Sequence, residues 1–162
     1  MKTLRELLIG LANSRGNFAN IIRKKRFKLF LVVFEKVLNS GRPIKILDVG
    51  GRFYFWDKMG FIEKKDTEIV ILNLFKEKED NDYKNIRIVI GDACEMKNFS
   101  DKEFDIVFSN SVIEHVGDMV QQKKMADEVR RVGKRYFVQT PNYWFPFEPH
   151  FLMIGFQYLP LS

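Results

Sequence analysis

The chain of 162 residues is 46% apolar and 30% charged, the balance of an ordinary globular protein with length enough for one domain and a real core. Its single cysteine, Cys94, excludes an internal disulfide and suits a reducing, cytoplasmic setting. The net charge of +6 is uneven: residues 1–40 hold nine Lys/Arg against Glu6 and Glu35, or +7, which leaves the other residues at −1. The basicity belongs to an N-terminal segment and not to the body, so nucleic acid is not an expected partner.

Residues 2–12 place Leu4, Leu7, Leu8 and Leu11 at helical spacing. This stretch imitates a signal peptide, but its apolar run is short and Glu6 interrupts it. Asn17 is a candidate cap for a second helix, in which Phe18, Ile22, Leu29, Phe30, Val33, Phe34, Val37 and Leu38 keep a 3.6-residue period. Gly41 and Pro43 in "NSGRP" stop it. The apolar run "LFLVVF" within it falls far short of the ~20 residues a membrane span needs. Residues 1–40 therefore read as a basic helical cap and residues 41–162 as the core domain. The cluster "RKKRFK" (23–28) is a solvated face beside the site, and contact with an anionic membrane surface is the lesser reading.

Beyond Pro43 the pattern alternates. Strands are predicted over 44–49, 68–74, 86–92, 103–110 and 135–142, with a helix-compatible "FYFWDKMGF" after the first. A long amphipathic helix over 119–134 precedes the fifth. Strands that are apolar on both faces and alternate with helices imply a doubly wound, mostly parallel α/β sheet. Ligands of such sheets lie outside the carboxyl ends of the strands. Those ends read Asp48 to Arg52, Asn73-Leu74, Gly91 to Ala93, Ser109 to Ser111 and Thr140 to Asn142, nearly all small or polar.

A dinucleotide-binding loop would show G-x-G-x-x-G and an acidic residue ending the second strand. Here the three glycine positions are Gly50, Arg52 and Phe55, and the second strand ends in Asn73. No P-loop G-K-[ST] occurs either.

The segments "ILDVGG" (46–51), "VILNL" (70–74), "IGDACEM" (90–96) and "FDIVFSNSVIEHVGD" (104–118), in that order, resemble the motifs of class I S-adenosylmethionine-dependent methyltransferases, of the type 11-like group. The resemblance covers roughly residues 42–160 and implies a Rossmann-like fold with S-adenosyl-L-methionine as cofactor. It implies that Asp48, Gly50 and Gly51 meet the methionine part and that Asn73 and Leu74 meet the ribose. Asp92 and Ala93 would hold the adenine, and Ser109 and Asn110 would line the floor near the sulfonium. The loop departs from the family at Arg52 and Tyr54, which must point away or reshape the turn if a ligand is to approach the backbone closely.

Methyl transfer cancels charge, so it asks for alignment and desolvation, and an aromatic wall suits a cation. Phe53 to Trp56 follow the first loop, although Phe53 and Phe55 read better as core. Tyr143 and Trp144, in the proline-broken "NYWFPFEPH", and His150 are candidates for the substrate side. His115 is the candidate catalytic base for a hydroxyl acceptor, and Glu114 is equally placed. Cys94 reads as a small buried residue. The function implied is methyl transfer to a small-molecule or sugar-like acceptor. The alternative is a noncatalytic relative acting as a binding module. Relative to the family, the sequence leaves no room for two closing strands after the fifth, which reads as a C-terminally short chain with an open edge that a second copy could cover.

Overall fold

The computed structural model describes residues 24–38, 42–75 and 83–140, together with the backbone of two short strands at 147–148 and 153–154. The expected helix over 2–12 and the candidates Tyr143, Trp144 and His150 lie outside the described residues.

Helix α1 covers residues 24–38 and buries Phe27, Phe30, Phe34 and Val37, one stripe at three- and four-residue spacing. Lys24, Lys25, Arg26 and Lys28 are exposed on its other side. The stripe docks on strand β1 (Ile44–Val49) and helix α2 (Phe53–Lys58) and joins the domain's own core. Phe30 meets Phe108 at 5.1 Å and Trp56 at 5.9 Å between ring centroids, and Phe34 meets Phe61 at 5.3 Å. Much of the chain's phenylalanine is spent here, in edge-on contacts that add to simple burial.

Strands β2 (Thr67–Asn73), β3 (Ile86–Ile90), β4 (Ile106–Asn110) and β5 (Tyr136–Gln139) complete a five-stranded sheet in the order β3-β2-β1-β4-β5. All four pairings are parallel. The doubly wound reading is thus correct. β1 lies at the centre, where a strand of Ile, Leu and Val is buried on both faces. Ile44, Ile46, Ile69, Ile71, Ile106 and Phe108 face α1 and α2. Leu47, Val49, Val70, Leu72 and Val107 face Met125, Val129 and Val132 of helix α3 (Met119–Val132).

Only β1 keeps its expected bounds at both ends: β2 shifts back by one residue, β3 ends at Ile90 where 92 was expected, and β5 covers Tyr136–Gln139 of the expected 135–142. β4 begins at Ile106 because the chain turns at Asp101-Lys102, Phe104 makes only an isolated bridge, and Asp105 is committed to an ion cluster. There Arg42 donates to both Asp105 oxygens at 2.6 and 2.8 Å, Lys134 Nζ donates at 2.9 Å, and the Lys45 amide donates at 3.0 Å. α3 stops at Val132 because Gly133 is extended (φ −101°, ψ 138°) and bridges to Phe104. At the far edge, Tyr136 and Val138 of β5 are exposed. Strands β6 (Phe147–Glu148) and β7 (Met153–Ile154) pair antiparallel with each other and are not part of the five-stranded sheet.

Candidate functional site

The carboxyl ends of β1, β2, β3 and β4 are tied together by short bonds. The Gly50 amide donates to Leu72 O at 2.8 Å, and the Gly91 amide donates to Asn73 O at 2.9 Å. The Ser109 hydroxyl donates to Val49 O at 3.2 Å, and the Ser111 amide donates to Gln139 O at 2.9 Å. Asp48, Gly50, Gly51, Asn73, Gly91 and Asp92 are thereby brought to one edge of the sheet.

Gly50 has φ +71°, and a Cβ there would stand 2.6 Å from Val112 Cγ2. Only glycine meets both conditions without strain. A Cβ on Gly51 would fall on the Asp48 carboxylate itself, so that carboxylate lies directly beneath the loop backbone. Arg52 leaves the loop in extended conformation (φ −130°) as the residue preceding α2, and both Arg52 and Tyr54 are exposed. Gly50 and Gly51 form the close turn, and Arg52 and Tyr54 follow it with exposed side chains.

Asp48 is 1% exposed. Its Oδ2 accepts the Trp56 indole N–H at 2.6 Å, while its buried Oδ1 has no hydrogen-bond partner among the described residues. Burial pushes this carboxyl up to about 7, against the opposing pull of the Trp56 bond. Trp56 is itself fully buried, so it is no part of an open aromatic wall. Phe53 is core too, stacked on Tyr83 at 4.8 Å, and Phe55 stacks on Phe108 at 5.3 Å. Of the aromatics after the first loop, Tyr54 alone is largely exposed, with Lys58 Nζ 4.4 Å from its ring centre.

Asn73, expected at the ribose, also holds the loop. Its Nδ2 donates to Gly51 O at 2.9 Å, which pins the loop and leaves the carbonyl oxygen as its acceptor. Asp92 is exposed and closes an Asx turn, its Oδ1 accepting the Cys94 amide at 2.7 Å. Ala93 and Asn110 are half-buried, and Leu74 is exposed beside the exposed Ile90. Ser109 is fully buried and spends its hydroxyl on Val49, so it is core and not floor. Cys94 donates Sγ–H to Gln121 O at 3.4 Å, and burial, with the Asp92 carboxylate beside it, pushes its thiol up, away from reactivity. The connection carrying Asp92 is anchored from α3: the Met96 amide donates to Glu128 at 2.6 Å, and Arg131 donates to Met96 O at 3.0 Å and Phe99 O at 2.9 Å.

On the β4 side, His115 ends a 3-10 turn (Ile113–His115) and is exposed, not buried in the loop. Glu114 is half-buried; its Oε2 accepts the Thr140 hydroxyl at 3.2 Å, and its buried Oε1 has no partner among the described residues. Sequence reasoning missed both this link and the Trp56–Asp48 bond.

Residues 65–136 match the family described as methyltransferase domain. Over 59 residues the chain is 41% identical to an uncharacterized protein of Mycobacterium tuberculosis, a match covering 36% of this chain and 20% of that protein. The chain thus spans about a fifth of the length of the curated relatives it matches. Among solved structures it is similar to a Galdieria sulphuraria protein assigned as a sarcosine dimethylglycine methyltransferase, with TM-score 0.55 and 22% identity over 70% of this chain and 43% of that one. It is also similar to an S-adenosylmethionine-dependent methyltransferase of Archaeoglobus fulgidus, with TM-score 0.53 and 17% identity over 74% and 53% of the two chains. Residues 65–136 thus match the methyltransferase-domain model, and the parallel sheet that carries them shares its fold with these two structures.

Proposed function

We propose that the chain is a methyltransferase that binds S-adenosyl-L-methionine across the ends of β1 to β4 and methylates a small-molecule or sugar-like acceptor. The observation that carries this reading is the glycine cradle: two glycines at which an added Cβ would clash, lying over a buried carboxylate with one oxygen unpartnered among the described residues. A turn built only to join a strand to a helix needs no ionisable group beneath it.

The residues present fit the cofactor. Gly50 and Gly51 let its methionine part lie against the backbone, and Asp48 beneath them favours positive charge. The Asn73 carbonyl oxygen accepts from a ribose hydroxyl. Asp92 Oδ2 accepts from the adenine amino group, and Leu74 and Ala93 offer apolar contact to the ring. Once bound, the cofactor supplies an electrophilic methyl group on a cationic sulfur. Asn110, on the same face of the sheet as Asp48 and Asn73, would line the floor near the sulfonium.

A hydroxyl acceptor has to lose a proton, and His115 and Glu114 stand at the end of β4 to take it. Transfer of labelled methyl from S-adenosylmethionine to a panel of hydroxyl and amine acceptors tests the reading. Turnover is expected for at least one acceptor, and His115→Ala should cut the rate on a hydroxyl acceptor by roughly 10²-fold. Cofactor binding with no transfer to any acceptor would favour the noncatalytic relative instead.

A further inference from the structure

We propose that Trp56 is a positioning residue of this cofactor site: its indole N–H fixes the Asp48 carboxylate beneath Gly51 and favours the ionised form that a cationic ligand requires. This inference rests on the cofactor reading above and adds to it a residue that never touches the ligand.

The geometry leaves Asp48 few alternatives. Along the sheet its neighbours are Ile71 of β2 and Phe108 of β4, both apolar. Above it lies the Gly51 backbone, and from α2 comes the indole at 2.6 Å. The rings packed around that indole, Phe27, Phe30, Phe55, Phe61 and Phe108, carry no charge. The flanking charged residues in sequence lie elsewhere: Lys45 pairs with Glu68 at 4.0 Å, and Arg52 is exposed at the start of α2. The hydrogen bond that opposes the desolvation of this fully buried carboxylate is the one from Trp56. Such an acid is balanced between its two forms near neutrality, where a small bias decides which prevails.

A ligand carrying net positive charge binds better over the anion. Its affinity therefore falls as Asp48 takes up a proton, by at most about tenfold per pH unit below the titration midpoint. Removing the indole donor should move that midpoint upward while leaving the high-pH plateau in place. A residue that merely filled space would change affinity equally at every pH.

Two measurements separate these outcomes. In a Trp144→Phe background Trp56 is the sole tryptophan, and its fluorescence, read without cofactor, should titrate near pH 7 and lose that transition in Asp48→Asn. Calorimetric affinity for S-adenosylmethionine should rise between pH 6 and 8 in wild type, rise at higher pH in Trp56→Phe, and stay flat in Asp48→Asn. The inference is overturned by a fluorescence signal that Asp48→Asn leaves unchanged, or by a Trp56→Phe affinity curve parallel to wild type. If Trp56→Phe does not fold, the wild-type and Asp48→Asn profiles still decide. Absence of binding at every pH by folded wild type is a different failure and removes the cofactor reading itself, whatever the fluorescence titration shows.

Discussion

Replacing Gly51 by alanine should abolish cofactor binding and lower folding stability by about 2–3 kcal/mol. The added Cβ falls on the Asp48 carboxylate, which is fully buried and held by Trp56 on its other side. The backbone cannot retreat freely either, because Asn73 holds the Gly51 carbonyl at 2.9 Å. Relief requires the loop to lift, and a lifted loop no longer presents the close backbone surface on which the ligand lies. Gly60 provides the contrast. It has φ +72°, but a Cβ there would meet nothing within 4 Å, so Gly60→Ala should cost only the conformational term, about 1 kcal/mol, and leave binding intact. Chemical denaturation and a binding titration on both variants check the pair. Equal behaviour of the two would mean that the Gly51 cradle is not built around Asp48.

Removing the Asp105 carboxylate should cost about 3 kcal/mol at neutral pH, the lower end for a broken buried pair, because Arg42 and Lys134 can turn to water. Asp105 is 2% exposed and gathers Arg42, Lys134 and the Lys45 amide where β1, β4 and β5 begin. Burial alone would raise its pKa, but the Arg42 fork, the Lys45 amide and the Lys134 ammonium outweigh it and hold the carboxyl well below the usual range. The native value lies below the unfolded one of about 3.9, so this stabilisation is complete above that pH and disappears as acid takes the native group through its own pKa.

Asp48 has the opposite sign. Its native pKa lies above the unfolded value, so the folded state holds the extra proton, and this group's contribution to stability falls as pH rises from about 4 to 7. The stability advantage of Asp48→Asn over wild type should therefore shrink on acidification from pH 8 to 5, and the deficit of Asp105→Ala should not change over the same window. Denaturation midpoints across pH measure both. A pH-independent difference for Asp48→Asn would contradict the account of that residue.

The central strands were legible because burial on both faces leaves only Ile, Leu and Val to fill them, and β1 was read to the residue. Glu103 to Asp105 misled because alternation of polar and apolar residues looks the same in a strand and in an isolated bridge beside an acid buried with its cations. Gly50-Gly51 stood out in the sequence, since glycine pairs at a strand's end suggest a close turn. The Trp56–Asp48 bond did not. It depends on a six-residue helix folding back so that its fourth residue meets the strand eight positions earlier, a matter of tertiary geometry that periodicity does not carry. Asn73 was legible as a polar strand end, but its bond to Gly51 was not, for the same reason. Phe53 and Phe55 of α2 were legible as core, but Trp56 was not, because ring count alone does not separate a ligand surface from a core.

The most direct test of the central claim is calorimetric titration of the chain with S-adenosylhomocysteine at pH 8, beside Asp92→Ala. Saturable binding at one site in the micromolar range is expected, weakened at least roughly tenfold in the variant by loss of the adenine contact. No heat of binding from a chain shown to be folded by circular dichroism would contradict that claim, and the strand ends gathered around Gly50 and Gly51 would then be a turn alone.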